Sequence, residues 1–382
     1  MSILTVEKNK LKELQEVCFS NNIPFVSFRY PQNKSIKTFI QTSGYPIELK
    51  SFKELNSVSG FIITPFFTNQ KNASFVLEPD ITIDDDSIDP SLIIKLGKVH
   101  RYTSVEYLNG KGIHVAEKSE FIRQVKELKN KIAEGKIKKA VLSRIHIEPK
   151  NKIFDITRLF IQLCIKYPNA FIYLFQIPMA GCWIGATPEP LVLIKKGKIE
   201  TISLAGTQKL DELTEKEVQW PSKEIEEQDI VTRYIESVLK SFQIDDFQQK
   251  GPYTQVAGNL LHLKTRFLFD ENKLANRIGE FIEALHPTPS ICGLPKDEAY
   301  EILEKTEPHH REYYTGLLGP MNMENETSLF VNLRCMKVLE SKLAMYLGAG
   351  ITSGSDPESE WEETNQKKMT LLSVIEKLNF NR

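Results

Sequence analysis

Two periodicities divide the chain. Apolar positions three or four residues apart predict helices near Val6–Cys18, over Ser119–Glu134 and Ser222–Phe242, near Asp297–Glu304, and from about Glu358 to Leu378. In the second of these, Phe121, Val125, Leu128 and Ile132 form the apolar stripe and Gly135 ends it. Alternating or short continuous apolar runs predict strands at Pro24–Tyr30, Gly60–Pro65, Lys139–Ile147, Phe171–Ile177, Cys182–Ala186, Pro190–Lys195, Lys198–Leu204, Ser328–Val338 and Leu343–Leu347. Lys196-Gly197 reads as a tight hairpin turn. The polar stretch Glu78–Asp89, with three consecutive aspartates, reads as a solvated loop. Strands joined by hairpins, with helices grouped between them, predict an α+β fold: large antiparallel sheets flanked by helices, as a two-layer α/β sandwich. A doubly wound parallel sheet does not fit this order.

Composition narrows the function classes. The 382 residues carry 49 Lys+Arg against 50 Asp+Glu, a net charge of -1, which speaks against a nucleic-acid surface spread over the molecule. No apolar run approaches the ~20 residues of a membrane helix, and the start lacks the parts of a signal peptide. The five cysteines, Cys18, Cys164, Cys182, Cys292 and Cys335, are scattered without CxxC spacing, against a disulfide framework or structural zinc. The expectation is a cytoplasmic protein with neither nucleic acid nor membrane as partner. Neither a Walker loop nor a strand followed by G-x-G-x-x-G occurs, so a nucleotide site has no support.

The informative residues are charged ones at positions where the periodicity asks for apolar ones. Lys139 shares a strand face with Val141, Ser143, Ile145 and Ile147. Burial there disfavours the ammonium and favours a general base; a lysine opening a strand with its amine snorkelling to water fits the same pattern. Glu227 lies on the helix face of Ile230, Val231, Tyr234 and Val238. Glu360, Glu363 and Lys367 line up with Leu371, Val374 and Leu378 in the last helix. Inward carboxylates on two helices need a cation, and an all-oxygen set without His or Cys suits Mg²⁺; capping acids or internal salt bridges are the alternative. Glu189, in IGATPEP, sits in a Pro-flanked turn where an acid is held rigidly. LAGT at 204–207 and LGAGI at 347–351 leave strands through glycines, letting backbone N–H groups approach an anion, or simply turning sharply. Arg334 sits on an apolar strand alternating with Asn332 and Phe330, where a guanidinium wants a carboxylate or phosphate partner.

In order, the segments KAVLSR, IGATPEPL, SLAGT, SKEIEEQDIV, HLKT, LHPTPSICGLP, EPHHREYYTGLLGP, LFVNLRC, LGAGI and SEWEETNQK resemble the chorismate-utilising enzymes, and among them the isochorismate synthases. The likeness covers about residues 117–375. It implies a single chorismate-binding domain over 1–382, with a variable N-terminal part, 1–115, and a catalytic core, 116–378. It also implies a Mg²⁺-dependent site taking chorismate as substrate, in a monomer or weak homodimer, with isochorismate feeding menaquinone or siderophore synthesis. Carried over by position, Lys139 matches the general base and Glu189 the general acid. Glu227 and Glu363 match metal ligands, with Glu360 acting through a metal-bound water. Arg334 matches the residue holding the enolpyruvyl carboxylate, aided by Gly348, Gly350 and Lys367. Gly206 and Thr207 match the turn against the ring carboxylate, and His262 a pocket histidine that positions substrate. Anthranilate and aminodeoxychorismate synthases use ammonia and typically carry an amide where this chain has Lys139. A covalent aminodeoxychorismate mechanism places a lysine where this chain has Ser290, a position more often alanine in isochorismate synthases. Salicylate synthases share the base lysine, whereas LHPTP favours an enzyme that stops at isochorismate. Outside the enzymes stands a non-catalytic ligand-binding paralogue.

Overall fold

The computed structural model describes residues 3–67, 72–99, 113–151, 153–209, 218–257 and 260–380. Two nine-stranded sheets dominate it. The first runs Gly293–Leu294, Lys139–Pro149, Lys342–Ile351, Cys335–Val338, Gly181–Thr187, Phe171–Ile177, Phe25–Arg29, Lys37–Ile40, Ile81–Asp84. The second runs Gln248–Ala257, Leu260–Asp270, Lys198–Lys209, Pro190–Lys195, Thr327–Val331, Leu317–Met321, Gly60–Ile63, Ser74–Leu77, Ile47–Leu49. Pairing within both is antiparallel. Residues before 115 give three strands to each sheet, so the N-terminal third extends the same two layers.

Alternation decides which side chains meet. One face of each sheet points at the other through an aromatic-rich layer that includes Phe28, Phe61, Phe171, Tyr173, Trp183, Phe330 and Tyr346. Phe171 of the first sheet stacks on Phe330 of the second with centroids 4.2 Å apart. Burying each such side chain is worth roughly 1.5–3 kcal/mol. The outer face of the first sheet is covered by Ile3–Ser20, Pro90–Leu96, Ile156–Lys166 and Pro357–Phe380. Ser222–Ser241 and Ile278–Leu285 cover the second, while Lys118–Ala133 and Lys296–Thr306 close over the end where Lys139–Pro149 lies. No helix among the described residues is long and apolar enough to cross a membrane.

The α+β reading with antiparallel sheets and flanking helices is what the structure has, and the Lys196-Gly197 turn lies where the sequence placed it, both residues at positive φ. Four local readings change. Within Glu78–Asp89, Ile81–Asp84 is a strand paired with Lys37–Ile40, with Ile83 buried and Asp80 accepting from the backbone N–H of Ser43; the acid run masked a two-residue alternation. Ser328–Val338 is two strands in different sheets, broken at Asn332–Arg334. LAGT does not leave its strand: Lys198–Lys209 continues through a bulge in which Gly206 and Thr207 oppose His262 alone. Gly348 and Gly350 likewise stay inside the strand Lys342–Ile351, opposite Ser143 and Val141.

Candidate active site

Two crossovers carry the chain between the sheets side by side, Thr187–Pro190 in one direction and Val331–Cys335 in the other. They are laced together. Val331 N–H donates to the Glu189 carbonyl (2.9 Å), Ala186 N–H to that of Arg334 (3.1 Å), and the Thr187 hydroxyl to that of Val331 (2.6 Å). Glu189 and Arg334 ride on this seam. Arg334 adopts φ +49°, the left-handed region, at a cost of about 1–3 kcal/mol for a non-glycine residue. The side chain is half-buried, and its Nη1 is buried without a hydrogen bond. A guanidinium nitrogen buried without a partner suits an anion.

Opposite the seam lies the glycine-bearing strand. A Cβ on Gly348 would stand 2.7 Å from the Tyr314 hydroxyl, and one on Gly350 would stand 2.5 Å from Glu227 Oε1 and 3.3 Å from Lys139 Cε. These glycines provide room rather than a turn. Lys139 opens its strand between Gly293–Leu294 and Lys342–Ile351 and is wholly enclosed. Its Nζ lies 2.5 Å from Glu227 Oε1.

The three acids predicted to face inward stand near the N-terminal ends of two helices, Ser222–Ser241 and Pro357–Phe380, where the helix dipole favours negative charge. Each is held by a lysine: Glu227 by Lys139, Glu360 Oε1 by Lys223 (2.8 Å), and Glu363 Oε1 by Lys367 (2.6 Å). Lys367 Nζ also donates to the Gly348 carbonyl (2.8 Å). Glu360 Oε2 is buried without a hydrogen bond. Among the described residues no three His, Cys, Asp or Glu side chains cluster as a ready-made metal cage. Glu189, Gly206, Glu227, His262, Arg334, Gly348, Gly350, Glu363 and Lys367 border one cavity. Lys139 and Glu360 lie behind its wall, and the side chain of Thr207 falls outside the described residues.

Electrostatics sort these groups. Burial pushes the Glu189 carboxyl up to about 7, against the opposing pull of Lys139, Lys367 and Arg334. That is a carboxylic acid able to carry a proton near neutrality. Burial and repulsion from Glu363 raise Glu360 above the usual carboxylate range. Glu363 goes the other way: burial pushes it up, but Lys367, Lys223 and Arg334 together bring it below that range. Burial and the nearby Arg334 lower His262 to about 4, so its ring is neutral, and Nδ1 donates to the Gly206 carbonyl across the bulge (2.9 Å).

The site thus holds a proton-bearing acid and an unpartnered guanidinium on one seam, with paired carboxylates facing them. The chorismate binding enzyme family model matches residues 92–376. The chain belongs to that family. Among chorismate-binding enzymes, isochorismate synthase EntC of Escherichia coli (strain K12) is 30% identical over 291 residues, spanning 74% of this chain and 73% of that one. Anthranilate synthase component 1 of Acetivibrio thermocellus is 30% identical over 277 residues, spanning 68% of this chain and 53% of that one. In fold, a putative 2,3-dihydroxybenzoate-specific isochorismate synthase, DhbC from Bacillus anthracis, matches at a TM-score of 0.76 and 21% identity, covering 96% of this chain and 99% of that one.

Of three further residues in this chorismate-binding enzyme, Tyr314 and Lys223 had no place in the sequence pattern, while Ser290 was weighed there only as a position separating related enzymes. Tyr314 borders the cavity with its hydroxyl against Gly348 and is the strongest electrostatic neighbour of Arg334. It sits in an irregular segment beside Tyr313, whose hydroxyl bonds the Ala73 carbonyl, so no periodicity separates the two tyrosines. Ser290 borders the cavity and donates to the Leu204 carbonyl (3.0 Å). Lys223, in the first turn of its helix, looks like an ordinary surface lysine until its partner is seen.

Proposed function

We propose that this enzyme is an isochorismate synthase, adding water to ring C2 of chorismate with loss of the C4 hydroxyl. The new C2–O bond forms as the C1=C2 pair shifts to C1=C6, the C5=C6 pair shifts to C4=C5, and the C4–O bond breaks. Water is a weak nucleophile and gives a proton to Lys139; hydroxide is a poor leaving group and takes one from Glu189. The observation that carries the reading is the buried Glu189 carboxyl, raised to about 7, at a cavity whose far wall conceals an enclosed lysine. Lysine at 139 rather than an amide favours water over ammonia, and serine at 290 gives no amine for a covalent adduct. Lys139 Nζ lies 2.5 Å from Glu227 Oε1, so on this reading that contact opens for Lys139 to take a proton from water.

Arg334 grips the enolpyruvyl carboxylate with Tyr314 beside it, supported by the backbone at Gly348–Gly350 and by Lys367. Gly206 and Thr207 face the ring carboxylate, and neutral His262 positions the ring. The donor set fits Mg²⁺, which is ordinarily held by one or two carboxylates together with waters and substrate oxygens, so a three-acid cage is not required. Glu227 and Glu363 would hold it, with Glu360 behind them acting through water. When bound, the ion supplies positive charge that orients the ring carboxylate and offsets charge developing across the ring. Isochorismate then leaves for menaquinone or catechol siderophore synthesis.

Incubating the purified chain with chorismate, with and without Mg²⁺ and with and without ammonia, and separating the products tests this. Isochorismate formed only with Mg²⁺ is expected. Salicylate plus pyruvate, an amine product only with ammonia, or unchanged chorismate would each overturn it.

A further inference from the structure

Lys223 belongs to no part of the chemistry above, yet it ties together the two helices that carry the acids. Its Nζ lies 2.8 Å from Glu360 Oε1, and it is 31% exposed while Glu360 is 1% exposed. One oxygen of Glu360 is thereby occupied by an ammonium, and the other is buried without a hydrogen bond. Glu360 in turn stands close enough to Glu363, at the cavity wall, for their charges to repel. The three acids are each neutralised by a lysine, but the other two lysines serve the reaction or border its cavity. Lys223 does neither.

We propose that Lys223 is a built-in counter-ion that sets the divalent-metal affinity of the site, holding it deliberately weak. Charges of +1 and +2 within roughly 6 Å in water repel by the equivalent of about tenfold in affinity. An ammonium on Glu360 therefore competes with a divalent cation for the negative charge of this acid group, while keeping the metal-free protein folded. The proposal rests on the metal site read above. It predicts opposite signs for two effects that a merely structural lysine would move together: removing the amine destabilises the metal-free protein, because buried Glu360 loses its partner, but strengthens metal binding.

The test is Mn²⁺ titration of the full chain without chorismate, free Mn²⁺ being read by electron paramagnetic resonance and bound Mn²⁺ displaced by Mg²⁺. Wild type should bind one Mn²⁺ that Glu363→Gln loses. Lys223→Met should bind about tenfold tighter, with a lower metal-free Tm and a larger metal-induced rise; Lys223→Arg, which keeps the charge, should bind as wild type does. Lys223→Gln serves the same purpose should Lys223→Met not fold. Equal or weaker Mn²⁺ binding by the uncharged variant, with the Glu363→Gln contrast intact, overturns the role of Lys223 alone. Wild type and Glu363→Gln binding alike would remove the metal site and this inference with it.

Discussion

Glu189→Gln keeps the shape of the side chain and removes its titration. In the native protein this carboxyl is raised from 4.5 to about 7, chiefly by burial. Between those two values the folded chain still holds a proton that the unfolded chain has released. The native state binds more protons there, so stability falls as pH rises through the window and is complete only below about 4.5. A difference of roughly 2.5 pH units at about 1.4 kcal/mol each amounts to about 3 kcal/mol lost between pH 4.5 and pH 8. Glutamine loses none of it. Urea unfolding at those two pH values should therefore show the gap between variant and wild type moving by about 3 kcal/mol in favour of Glu189→Gln at the higher pH. Turnover should move the opposite way, falling ~10²-fold or more because an amide cannot supply the proton the leaving hydroxyl needs. Wild-type turnover should itself decline above about pH 7 as the acid ionises. Parallel pH dependence of unfolding in the two proteins, or near-normal turnover in the variant, refutes the reasoning.

Lys139→Met removes the proposed base and strips Glu227 of its partner; steady-state turnover of chorismate should drop at least ~10²-fold. Arg334→Lys keeps the charge but loses the fork of donors, so KM for chorismate should rise about tenfold or more, with a smaller change in kcat, in a continuous assay. Gly350→Ala places a methyl 2.5 Å from Glu227 Oε1 and should cost activity about tenfold or more while urea unfolding changes by less than that loss implies. Chelation by EDTA should abolish product formation, and added Mg²⁺ should restore it, followed by product chromatography.

Part of the framework was legible where apolar periodicity is strong: Lys118–Ala133 and Phe171–Ile177 lie within a residue of where the pattern places them, whereas the helices Ile156–Lys166 and Ile278–Leu285 and the long strands Gln248–Ala257 and Leu260–Asp270 were not placed. The inward direction of Glu227 and Glu363 was also legible, because acids break an apolar stripe visibly. Less legible was anything set by contacts between distant segments. The run through Phe330, Asn332 and Arg334 alternates like one strand, but at Arg334 the backbone turns left-handed and changes sheet, a switch that local pattern does not record. The lysine partners of Glu227 and Glu360 are equally hidden, since those pairs join helix to strand and helix to helix only after folding, whereas Glu363 and Lys367 stand four residues apart on one helix and line up in the sequence. The motifs named in the resemblance located the cavity; the sheet-to-sheet seam explains why two of its residues are neighbours.

That seam has a mechanical consequence. Glu189 and Arg334 are carried by two stretches of backbone stitched to one another, so the spacing between the proposed proton donor and anion grip is set by backbone hydrogen bonds rather than by how the layers pack. Among the described residues no hydrogen bond or ion pair ties the helix carboxylates to it, so their distance to the seam is the one left free to vary. On the proposed reading, a dianionic ligand held at one end by the guanidinium and at the other by a cation on the helix acids would close that gap like a buckle. Its arrival should accordingly slow amide hydrogen exchange along both crossovers and the first turns of both acid-bearing helices together.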